Sequence, residues 1–170
     1  MQYQVDDRVV HINHGVGRVV GLVSNSFADA EAKLYYEIAL NQSTVWVPVD
    51  SNDSIELRAL TRKRDLDHYR AVLRGEPTLL SNDHRQRHLN LTQLLKSGTF
   101  ENLCIVVRDL TARGRLKPLN EVDSSTLRRA HDNLSHEWSV ADGISIPQAV
   151  RHIESLILEG RLGSVPVANV

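Results

Sequence analysis

The feature that most constrains this chain is a change of hydrophobic period near Leu60. Upstream, short runs rich in Val, Ile and Tyr are separated by Gly, Asn and Ser, which is the pattern of half-buried strands and turns. Downstream, apolar residues recur every three or four positions over stretches of ten or more, the pattern of amphipathic helices. The reading is therefore an α+β chain. A small β unit is expected over residues 1–60, an all-α unit of about five helices over 61–160, and a frayed tail over 161–170.

In the β unit the expected strands are Arg8–Ile12, Gly17–Val23, Lys33–Leu40, Thr44–Val49 and Ser54–Arg58. Asn13, Gly15 and Gly17 sit between the first two, where a tight turn needs positive φ and close backbone approach. Ser24 to Ala32 reads as a loop, and Asn41-Gln42-Ser43 as a hairpin connection. Five short strands in sixty residues are expected to curl into a small barrel, which removes most free edges. Pro48 cannot donate to a ladder, so it marks an edge or a bulge.

In the helical unit Thr61 is the expected N-cap of a helix over Arg62–Arg74 that stops at Gly75. Ser81 or Asn82 caps the next, which ends at Gly98, and Thr99 starts a third that exits through Arg113–Pro118. Asp123 or Ser124 caps a fourth through about Asp142. Ser145 and Gln148 form a capping box at the head of the last.

Several chemistries find no support. No run approaches the ~20 apolar residues of a membrane helix, and the N-terminus is neither basic nor apolar, so a cytoplasmic chain without membrane attachment is expected. Cys104 is the only cysteine and lies in an apolar run, as a core thiol would. His84 and His88 have i,i+4 spacing, yet no Glu stands between them and no third ligand is near. Gly15 and Gly17 lack the third Gly and the helix of a phosphate loop, and no nucleophile elbow is present. No catalytic residue, metal or cofactor is expected.

Net charge is −1, but it is unevenly spread. Residues 1–60 carry four cations against eight anions, 61–117 twelve against six, and 118–170 four against seven. A basic middle is either a footprint for phosphate or a set of solvated helix faces.

Specific motifs go further. Asp7, Val9, Val10, His11, His14, Gly15, Val16 and Gly17, followed by Val47-Pro48-Val49, match the signature of a known N-terminal module. Asn90, Leu91, Leu94, Leu95, Ser97 and Gly98, then Val106 to Leu110, then Leu127 and Ala130, match its helical partner. On these residues the chain resembles the CarD/CdnL family of bacterial transcription regulators. Asp6 and Ile12 stand where the family usually has Gly and Pro. The resemblance implies a Tudor-like or SH3-like barrel that binds the β subunit of RNA polymerase. It also implies a helical domain that touches promoter DNA at the upstream edge of the transcription bubble and stabilises the open complex. A barrel edge suits docking by strand addition, and the expected edge is the strand of Val45, Trp46 and Val47, where Trp46 either anchors the partner or packs on its own barrel. Some members carry Arg where Trp46 and Asn25 stand, so both positions are expected at the polymerase contact. The contact with DNA is expected at His84, where members commonly carry a Trp wedge, with Arg85 and Arg87 on phosphate; the other reading is an exposed His beside two surface arginines. Arg128 and Arg129 are a second basic pair by residue type, placed either on phosphate or in solvent with neighbours such as Asp132. A monomer is expected. The alternative is a polymerase-bound adaptor that has lost the wedge. Transcription-repair coupling factors share the barrel, but this chain has no helicase motif.

Overall fold

A computed structural model of the chain describes residues 3–25, 33–41, 43–50 and 56–163. The chain divides into two compact units, residues 1–60 and 61–170.

The first unit is a five-stranded antiparallel sheet of the Tudor-like kind. Its strands are β1 (Arg8–His11), β2 (Gly15–Asn25), β3 (Lys33–Ala39), β4 (Thr44–Pro48) and β5 (Leu57–Ala59). They are ordered β4-β3-β2-β1-β5, and among the described residues the two end strands do not pair with each other. β2 starts two residues earlier than the Gly17 boundary suggested and runs into the expected loop, while residues 26–32 and 51–55 of the expected loop and last strand lie outside the described residues. Alternation puts Val9, Val19, Tyr36, Ile38 and Val47 on one buried face. The Tyr36 hydroxyl accepts from the Tyr3 amide at 3.0 Å, which holds the N-terminal segment on that core.

Two glycines earn their place for different reasons. Gly15 has φ of +78°, the left-handed conformation that closes the β1–β2 turn. Gly17 has an ordinary φ, but a Cβ there would stand 2.6 Å from Ile38 Cγ2 and 3.0 Å from the Ala39 carbonyl oxygen.

The second unit holds α1 (Leu66–Arg74), α2 (His84–Lys96), α3 (Phe100–Leu116), α4 (Glu121–Asp142) and α5 (Ile146–Gly163). Leu66, Leu73, Leu91, Phe100, Leu110, Leu134, Trp138 and Ile153 are among the side chains of its single core. Thr99 caps α3 and the Ser145–Gln148 box caps α5 as the sequence suggested. The other N-termini depart from expectation because the expected caps are engaged elsewhere. The Thr61 hydroxyl donates to buried Glu137 at 2.7 Å, so a 3-10 turn over Lys63–Asp65 precedes α1. Asp83, not Ser81 or Asn82, caps α2, accepting from the Gln86 amide at 2.8 Å. Asp123 is taken up by Arg87, and Asn120 caps α4 three residues earlier. α3 passes through Gly114, where Leu119 packs closely, and reaches Leu116. α5 continues to Gly163, past the expected start of a frayed tail; residues 164–170 lie outside the described residues.

Candidate functional site

Each unit offers one surface, and both follow from the local geometry. In the sheet, β4 is an end strand. Leu40 donates its amide to the Ser43 carbonyl at 2.8 Å, and Val49 donates to the Leu34 carbonyl at 2.9 Å. With β3–β4 pairing Ile38 with Val45 and Tyr36 with Val47, the same alternation turns the backbone of Val45 and Val47 toward β3. The N–H and C=O of Thr44 and Trp46, and the C=O of Pro48, then face the open edge. Side chains alternate as well. Val47 is 2% exposed in the core and Val45 packs against that core, whereas the Trp46 ring is 56% exposed. Of the expected contact residues Val47 is buried and Val45 half-buried on the inner face, so both fix the strand. Trp46 alone combines an outward ring with an outward backbone. It pairs across to Glu37, which pairs on to Gly21. Tyr35 and Pro48 pair on the same outer face, so the ring has polarizable, flat neighbours. Asn25 ends β2 opposite Lys33.

In the helical unit the first turn of α2 carries His84 and Arg85, both exposed and without an ion-pair partner among the described residues. The capping amide of Gln86 holds the Asp83 carboxyl below the usual range, so the turn opens on a fixed anion. Arg87 is different, and here the sequence reading is corrected. Its side chain is 4% exposed and meets Asp123, itself 2% exposed, through Nη2 at 2.7 Å and Nε at 2.8 Å. Nη1 donates to the Ser81 carbonyl at 2.7 Å and to that of Asn82 at 3.3 Å. Every nitrogen of the guanidinium is engaged, so none is left for a phosphate. The spacing held this information: Arg87, Leu91 and Leu94 form one stripe on α2, and that stripe packs on the core.

Arg128 and Arg129 are exposed on α4 and form no ion pair among the described residues, although Asp132 stands four residues after Arg128. Arg128 lies with Arg115 and Arg151, and with the acidic Asp132 and Glu154, along a groove of about 820 Å³ that Leu127 and Ile157 also line. No hydrogen bond or ion pair among the described residues joins His84 and Arg85 to this second pair. The sequence reading missed Arg115 and Arg151, which stand far from Arg128 in sequence and meet it only through helix packing.

The described residues contain no group of three or more His, Cys, Asp or Glu able to hold a metal ion. Cys104 is fully buried, and burial pushes its thiol far above the usual range. No described helix is long and apolar enough to cross a membrane.

Comparison with known proteins agrees with this geometry in both halves. Residues 3–61 match the family model of the CarD-like/TRCF RID domain, an RNA polymerase-interacting module. Residues 69–154 match the CarD C-terminal domain. The chain belongs to the CarD family. The Bacillus subtilis (strain 168) protein named "Putative transcription factor YdeB" is 30% identical over 149 residues, which span 86% of this chain and 96% of that protein. By kinship this CarD-family chain is a transcription regulator.

Proposed function

We propose that this protein binds the β subunit of RNA polymerase through the β4 edge and stabilises the promoter open complex through its helical unit. The observation that carries the reading is Trp46, a half-exposed ring on an end strand whose own N–H and C=O point away from the sheet. Strand addition uses such an edge for affinity and a flanking anchor residue for specificity. Pro48 removes one donor, so the added strand is short. The contact rests on an apolar ring, since neither Trp46 nor Asn25 supplies the charge some relatives carry there.

On the DNA side the residues are His84, Arg85, Arg128 and Arg129, with Arg87 withdrawn. No bond is made or broken. A regulator that favours the open complex by ~1.4 kcal/mol shifts the closed-to-open equilibrium tenfold. The test is a pull-down of polymerase β-subunit fragments with wild type and Trp46→Ala. Wild type retains the fragment and the variant loses it without losing its fold; equal retention by both would remove β4 from the interface.

One observation favours a second reading, an adaptor on polymerase that does not grip DNA. The position where relatives place a Trp holds an imidazole, and one of the four arginines expected on DNA is buried. A salt-dependent shift with fork-junction DNA separates the two.

A further inference from the structure

The segment joining α1 to α2 is held in place almost residue by residue. The Thr78 amide donates to Asp109 Oδ1 at 3.1 Å, and Arg108 Nη2 reaches Thr78 Oγ1 at 3.5 Å. Arg113 Nη1 donates to the Leu80 carbonyl at 3.4 Å. Arg87 holds the Ser81 and Asn82 carbonyls, and Lys117 Nζ donates to Asn82 Oδ1 at 2.8 Å. Leu80 packs against the helical core. Leu79 does the reverse. It is 92% exposed, the highest value among the exposed large apolar side chains described. A scattered surface leucine needs no explanation. A leucine held almost wholly in water, on a loop fixed by buried Arg87, Arg108 and Asp109, is a different object. Its position is set before any partner arrives, so little ordering entropy is left to lose on contact.

The charges around it select the partner. Arg113 and Lys117 reach the loop itself, Arg115 is exposed on the same end of α3, and His84 and Arg85 follow on the first turn of α2. Against them stand Glu76 and the capping Asp83. An apolar tip on a loop that Arg113 and Lys117 both reach suits a polyanion with an apolar interior that opens. A nucleic-acid duplex at an unstacked step is such a partner: phosphates meet the cations beside the loop, and a leucine replaces lost stacking between bases.

We propose that Leu79 is the side chain by which the helical unit inserts into a base step at a duplex-to-single-strand junction. The proposal rests on the reading that this unit binds DNA, and names the residue that does the opening. His84, one residue beyond the cap, then serves the flank of the insertion rather than its tip.

The experiment compares a fork-junction DNA carrying 2-aminopurine at the junction with a fully paired duplex of equal length, using the full chain at several salt concentrations. Wild type is expected to bind both, more tightly at low salt, to prefer the fork and to raise 2-aminopurine emission. Leu79→Ala should keep duplex affinity and salt slope while losing about tenfold on the fork together with the emission rise. Leu79→Trp should keep the fork preference, and Arg85→Ala, which touches none of the contacts that fix the loop, should weaken both DNAs alike and lower the salt slope by about 0.9. Leu79 is solvent-exposed, so the Ala variant should melt with wild type, which keeps a folding defect out of the comparison. Leu79→Ala with intact fork preference and emission overturns the insertion while the DNA reading stands. Wild type without salt-dependent affinity for either DNA overturns both.

Discussion

Arg87→Ala should be among the most damaging substitutions in the helical unit, although the residue is an arginine on a basic segment. Truncation leaves the Asp123 carboxylate at 2% exposure without its partner and takes donors from the Ser81 and Asn82 carbonyls. Removing one member of a buried ion pair costs about 3–5 kcal/mol, because the remaining charge stays buried and unpaired. For a unit of this size each kcal/mol moves the melting temperature by about 4 °C, so a fall of about 12–20 °C is expected. Asp123→Ala strands the guanidinium in the same way and should cost a similar amount. The double variant Arg87→Met/Asp123→Leu replaces both charges by apolar groups and should recover most of the loss, so the two single effects do not add. Thermal unfolding followed by far-UV circular dichroism, repeated in denaturant, measures all four proteins. Arg87→Ala melting within about 1 kcal/mol of wild type, or strict additivity in the double variant, would refute the reasoning. A phosphate-binding Arg87 would give the opposite pattern, with unchanged melting and weaker, less salt-dependent affinity for DNA.

Two further outcomes concern the β unit. Gly17→Ala places a methyl 2.6 Å from Ile38 Cγ2 at a position of ordinary φ, so the loss of about 1–3 kcal/mol is one of overpacking and appears as earlier melting of the sheet. Burial, and then the neighbouring His14, hold His11 below its ordinary value of 6.5, and its Nδ1 accepts the Asn13 amide at 3.1 Å, which requires that nitrogen unprotonated. The unfolded chain therefore takes up the proton first. Stability from this group is complete above pH 6.5 and is lost as the pH falls from there toward the lower folded value. His11→Gln should flatten that part of the melting-temperature profile, measured between pH 5 and pH 7; an unchanged profile would remove His11 from the acid sensitivity.

The number, type and order of the elements were legible in the sequence because period and turn chemistry are local properties. What escaped was set by partners distant in the chain. Thr61, Asp123 and Ser81 all look like helix caps by type, yet Thr61 and Asp123 are consumed by Glu137 and Arg87, and Ser81 supports Asp83. Gly114 looked like a stop, but Leu119 packs over it and the helix carries on. At the site the outward ring of Trp46 followed from alternation with Val45 and Val47. The same alternation placed those two valines on the inner face, where they hold the strand. Arg85 and Arg87 were indistinguishable by type and were separated only by which face of α2 meets the core. The prominence of Leu79 had no local signal, since Leu79 and Leu80 are the same residue and only the pinned backbone between them decides which one is hidden.

α2 is attached along one narrow stripe, Arg87 and Leu91 fully and Leu94 and Leu95 in part, and most of its remaining surface is exposed. Its outer positions, His84, Arg85, His88, Leu89 and Lys96, are thus free to drift without disturbing the fold beneath them. On the DNA contact proposed above, a lineage is able to exchange the ring at position 84 or the cations beside it and change how firmly promoters are held, while inheriting the same scaffold. Regulatory strength becomes a dial turned by solvent-facing substitutions, and divergence between relatives should concentrate there rather than on the stripe.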